Sequence, residues 1–190
     1  MLPMSANIAF PDYDNPKEVY AVFGLTFYWA QVLEQGVLNL AVALRVAGNG
    51  GFDWHSVAEF YSLLERKTFG NVLKLARQLT AIPNELDDEL GIALDRRNYL
   101  AHQFFVERAP VFQEKQGRRQ AVDDLLADMQ LFKDVDRKFD PIWREAWNQL
   151  GVTEEHLERL QKALDSSPNA LTEEITAIAV QIARQSRSKT

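Results

Sequence analysis

Arg97, Asn98 and His102 stand together in the stretch LDRRNYLAHQFF, Leu94 to Phe105, at a spacing that carries chemistry. An arginine is permanently charged and can hydrogen-bond two phosphate oxygens at once. An asparagine can hold a hydroxyl or phosphate oxygen without adding charge. Imidazole, with a reference pKa of about 6.5, both takes and gives protons near neutrality. Together the three types suit transphosphorylation of RNA. A ribose 2′-OH attacks the adjacent phosphate, the imidazole moves a proton, and the guanidinium stabilises charge on the crowded phosphate. This chemistry requires no metal and no cofactor. One histidine does not supply base and acid together, so two copies from a dimer, or one polar helper, are wanted.

These residues must be positioned by a helix. Pro83 blocks continuation of what precedes it, and Asn84 can cap a helix running to about Val106. At about 100° per residue, Leu86, Leu90, Ala93, Leu94, Leu100, Ala101, Phe104 and Phe105 form one apolar stripe. Arg97 falls inside the stripe, Asn98 and His102 share its edge, and Arg96 points to the polar side. A buried guanidinium is costly unless paired or facing a wet cleft. Arg97 is therefore a misplaced surface residue, a structural ion-pair partner, or part of a site with His102. The first long helix offers a partner. Gln31, Glu34, Gln35 and Asn39 form a polar stripe in an apolar run, so Glu34 is expected to meet Arg97, with Gln31 or Asn39 near Asn98 or His102.

The hexapeptide RNYLAH resembles the Arg-Asn-x3-His signature of HEPN domains, named for higher eukaryotes and prokaryotes nucleotide-binding. The resemblance covers about Glu18 to Pro110 as a helical pattern, and Arg97, Asn98 and His102 are the matching positions. It implies an all-α bundle of four or five helices, with the motif late in one of them. It further implies a metal-independent endoribonuclease of a toxin–antitoxin, phage-defence or RNA-processing system. The active site would be composite, formed where two motif helices meet in a homodimer, and a cognate antitoxin or regulatory protein is an implied partner. Some members of the family are non-catalytic binding or structural proteins, which supplies the alternative: a helical interaction or regulatory protein. Glu34 lies outside the signature and is added on physical grounds.

Composition limits the choice. The chain of 190 residues is 46% hydrophobic and 25% charged, enough for a sizeable core. A formal net charge of -6 argues against a general nucleic-acid sponge, whose binding rests on phosphate neutralisation by Lys and Arg. With no cysteine, disulfides, Cys-based zinc sites, iron–sulfur clusters and Cys nucleophiles are excluded. His55, His102 and His156 are too scattered for a His-rich metal site. The start, MLPMSANIAFPDYDNPKE, lacks the pattern of a signal peptide. The apolar run Val19 to Ala47 is interrupted by Gln31, Glu34, Gln35 and Asn39 and reads as a central buried helix rather than a membrane span, so the cytoplasm is the expected compartment.

No stretch alternates with period two, and the chain reads as all-α: a HEPN-like bundle with additional C-terminal helices. Residues 1–14 read as a flexible arm, 15–110 as the HEPN-like core, and 111–190 as further helices of the same domain. Asn15 and Pro16 start a helix that runs to about Ala47, and the glycines of GNGG, 48–51, stop it with a positive φ. Asp53 or Ser56 caps a helix to about Lys67, and residues 71–80 are helical again. A long charged helix spans about Gln113 to Leu150, with Pro141 expected to kink or break it near Phe139. Thr153 begins a short helix to about Leu164, residues 165–169 form a loop, and Thr172 opens the last helix, with a frayed basic tail. The acids of DDEL and VDDLLAD read as solvated helix faces. Phe23, Phe27, Tyr28 and Trp29 read as core or dimer surface, and Trp143 and Trp147 as a ridge packing on the last helices. His55 and His156 read as surface residues without a role.

Overall fold

The computed structural model describes residues 12–49 and 52–187. Among them the chain forms eight α-helices, one 3-10 turn and no strand. The helices are α1 (Lys17–Gly48), α2 (Trp54–Leu64), α3 (Phe69–Leu79), α4 (Asn84–His102), α5 (Phe104–Arg108), α6 (Lys115–Gln149), α7 (Glu154–Ser166) and α8 (Pro168–Arg187), with the 3-10 turn at Ala109–Gln113. No described helix is long and apolar enough to cross a membrane. Most of the expected arm, half of GNGG and the end of the basic tail lie outside the described residues.

Three boundaries differ from expectation, each for a physical reason. The helix expected from Asn84 to about Val106 breaks at Gln103, whose φ of -121° leaves the helical range. The break lets Phe104 turn into the core while Phe105 packs beside Phe23. α6 continues through Pro141. A proline inside a helix costs about 3 kcal/mol, and the buried Phe132, Val135, Phe139 and Trp147 on either side outweigh it. The loop expected at residues 165–169 shrinks to Ser167, and α8 begins at Pro168, a first helical position where a missing N–H leaves no bond unmade.

The described helices gather into two compact units, each built from two separate stretches of chain. The first comprises the chain up to Leu33 together with Asn84–Asp136, and the second Glu34–Pro83 together with the chain from Arg137. The divisions thus fall inside α1 and α6, and the soft boundary expected at residues 107–117 lies within the first unit.

In the first unit, α1 packs against α6 through the buried Thr26, whose hydroxyl donates to the Leu125 carbonyl at 3.1 Å. Arg118, only 8% exposed, donates to the carbonyls of Tyr13 and Phe112, each at 2.7 Å, and so ties the segment before α1 and the 3-10 turn to α6. Gly117 makes that approach possible, because a Cβ there would run into the Val111 carbonyl. Phe23, Phe104, Phe105 and Phe112 form an aromatic cluster with centroids 4.6–6.3 Å apart.

In the second unit, α6 ends in a Schellman motif. The N–H of Val152 bonds the Trp147 carbonyl and that of Gly151 the Asn148 carbonyl, at 3.0 and 2.9 Å. Gly151 has φ +90°, the left-handed region that glycine adopts without penalty. Asp53 caps α2 by accepting from the Ser56 N–H at 2.9 Å, as expected. His156, read as a surface residue, is instead 2% exposed, and its Nδ1 accepts from the Thr153 N–H at 3.2 Å. Thr-x-x-His here takes the place of the usual Thr-x-x-Glu capping box, which hid the signal. Arg144 bridges Asp140 and Glu154, tying α6 to α7, and Arg159 pairs with Glu174, tying α7 to α8.

Candidate functional site

α4 delivers Arg97, Asn98 and His102 to the surface of the first unit. The buried Leu86, Leu90, Ala93 and Leu100 hold its inner face, as the periodicity predicts, whereas Ala101 of the same stripe is exposed. Arg97 is half-buried, and its guanidinium carbon lies 6.0 Å above the Phe27 ring of α1. Its Nη1 donates to Asn98 Oδ1 at 3.3 Å. Asn98 and His102 are both exposed, one helical turn apart, and His102 is the last residue of α4 before the break at Gln103. A half-buried cation is thus aimed by an aromatic floor and an amide, with an exposed imidazole nearby.

The polar stripe of α1 is divided between the units. Gln31 is exposed in the first. Glu34 is half-buried and engaged, and Asn39 is half-buried, both in the second. Asn39 Oδ1 accepts from the Tyr61 hydroxyl at 2.7 Å and from Gln35 Nε2 at 3.0 Å, and the Asn39 carbonyl accepts from Trp147 Nε1 at 3.1 Å.

Beside the motif stands an ion pair that sequence reasoning missed. Arg96, expected on the polar side, makes two 2.7 Å hydrogen bonds to the carboxylate of Asp128 and lies 4.6 Å from the Tyr99 ring centroid. Asp128, read as part of a solvated face, is 7% exposed. Arg108 pairs with Asp124 at 2.5 Å, and Gln120 Nε2 donates to the other oxygen at 2.8 Å. The available signal was the spacing of Asp124 and Asp128, four apart and hence on one face of α6. These two pairs fix α4 and α5 against α6 and so set the direction in which the motif points.

Comparison with protein-family models, with curated proteins and with solved structures finds no match to this chain.

Proposed function

We propose that this protein is a metal-independent endoribonuclease of HEPN type that acts as a homodimer. One observation carries the reading: Arg97 is held half-buried over Phe27 and bonded to Asn98, while Asn98 and His102 stay open to solvent at the end of the same helix. In this mechanism Arg97 neutralises the scissile phosphate and Asn98 positions it. His102 of one copy takes the 2′-OH proton as O2′ bonds to phosphorus. The P–O5′ bond breaks, and His102 of the second copy gives a proton to O5′. The products are a 2′,3′-cyclic phosphate and a 5′-hydroxyl. Gln31, in the same unit as the motif, is a supporting residue in this reading. A toxin–antitoxin or defence setting, with an antitoxin or regulatory partner, is what the resemblance implies, and the cytoplasm is the compartment proposed from the sequence pattern.

The homodimer is supported by the α1 surface of the same unit. Tyr20, Leu25 and Tyr28 are 55%, 39% and 52% exposed, and a Cβ at Gly24 would meet nothing within 4 Å. Tyr20 stacks on Phe105 at 5.6 Å, so this apolar strip borders the end of the motif. Leu25→Glu is expected to halve the sedimenting mass and to lower RNA cleavage at least about tenfold, since one imidazole per site is then lost. A monomeric native protein would remove the dimer from the reading.

The Arg97–Phe27 contact favours one other reading, a non-catalytic helical interaction protein in which Arg97 only fixes how α1 meets α4. The two separate in a single assay of native and His102→Ala protein on mixed RNA in EDTA. Cleavage by the native form alone, leaving cyclic phosphate ends, supports the nuclease. Equal cleavage by both, or none by either across varied RNAs, removes the nuclease reading, and the second outcome favours the other.

A further inference from the structure

We propose that the second unit holds a binding site for a small neutral aromatic molecule, of about two fused rings, that carries one hydrogen-bond acceptor. It uses none of Arg97, Asn98 or His102 and stands apart from the RNA-cleavage reading.

The site is a cavity of about 260 Å³ walled by α2, the end of α6, α7 and α8. Its size selects the ligand. An apolar cavity of about 150 Å³ holds one benzene ring, so this one has room for a second fused ring. Its walls are aromatic: Trp54, Tyr61, Trp143 and Trp147 all contribute. The Tyr61 and Trp147 rings lie 8° from parallel with centroids 6.4 Å apart, giving a flat ligand a common stacking direction. Leu160 and Ile175, half-buried on α7 and α8, form the facing side. The Schellman turn at Gly151 sets Val152 beside Trp147 in the wall.

Charge is excluded. Among the described residues no Asp, Glu, Lys, Arg or His lines the cavity, so an ionic ligand would lose hydration without compensation. Burial pushes the Tyr61 phenol well above its ordinary range, so it stays protonated and donates to Asn39. Asn39 is the one amide among the described lining residues. Its Oδ1 already takes two donors, which leaves Nδ2 to donate. The matching group on a ligand is a carbonyl or ring acceptor.

Coumarin and naphthalene, two flat bicyclic probes with and without a carbonyl, test this. Three of the four tryptophans line the cavity, so binding reads as quenching of their emission. Coumarin is expected to quench the full chain saturably with a Kd of about 100 µM or tighter. Leu160→Phe, which fills the cavity from a half-exposed position, should weaken both probes at least about tenfold with unchanged circular dichroism. Asn39→Leu should weaken coumarin about fivefold and leave naphthalene unchanged. Absence of saturable quenching by either probe would reduce the cavity to a packing void and overturn the proposal. So would binding that survives Leu160→Phe, or quenching won only by an apolar peptide. Should Asn39→Leu not fold, tighter binding of naphthalene than of coumarin by the native chain overturns the acceptor.

Discussion

His102→Ala is expected to lower RNA cleavage by about a thousandfold, because proton transfer by a positioned imidazole contributes about 10²–10⁴-fold and both transfers of the proposed mechanism use it. The side chain is exposed at the end of α4, so its loss should move stability by no more than about 0.5 kcal/mol. The measurement is the rate of appearance of 2′,3′-cyclic phosphate ends in EDTA, beside a melting curve. A companion variant sharpens it. Arg97→Lys keeps the charge but loses the two-pronged donor, and should cost about tenfold to a hundredfold. A large loss at His102 with none at Arg97 would leave the proton step and remove the phosphate clamp. Unchanged cleavage in both would remove the site.

Arg96→Ala is expected to destabilise the protein by about 3 kcal/mol. The reason is the carboxylate left behind. Asp128 has a side chain only 9% exposed, and Arg96 supplies both of its short hydrogen bonds. Breaking a buried pair from one side costs about 3–5 kcal/mol, because the remaining charge has neither water nor partner. Arg96, at 37% exposed, can reach solvent by itself, so Asp128→Leu should cost less than Arg96→Ala. Urea unfolding of the two single variants and the double variant checks this. The double variant Arg96→Ala, Asp128→Leu should be more stable than Arg96→Ala alone. If it is less stable, the penalty does not come from a stranded charge.

Helical periodicity carried far here. The inner face of α4, the long α1, the cap at Asp53 and the Trp143–Trp147 ridge facing α7 and α8 follow from residue spacing alone. What spacing could not reveal was partner choice between distant stretches. Arg96 and Arg97 are neighbours of one type. That Arg96 pairs with a carboxylate of α6 depends on Asp128, 32 residues away. His156 escaped because its burial comes from a local cap, which hydrophobicity does not record. At Pro141 the helix does not break, because the local rule is set against the large side chains that α6 buries on both sides of it. For the motif, the sequence placed Arg97, Asn98 and His102 on one helix end. The aromatic floor of Phe27 beneath Arg97 needed the fold.

The interleaving of the two units constrains how the chain can be made. Thr26 waits 99 residues for the Leu125 carbonyl, so the first unit cannot close until most of the second unit's early helices have left the ribosome. Those helices, α2 and α3, then wait in turn for α7 and α8. Contacts this far apart slow folding, since loop closure must precede any reward. Neither unit can be released by a single cut. A nascent chain that had emerged from the ribosome as far as residue 136 would hold Arg97, Asn98 and His102 in a first unit with all its residues, while the aromatic cavity still lacked most of its walls.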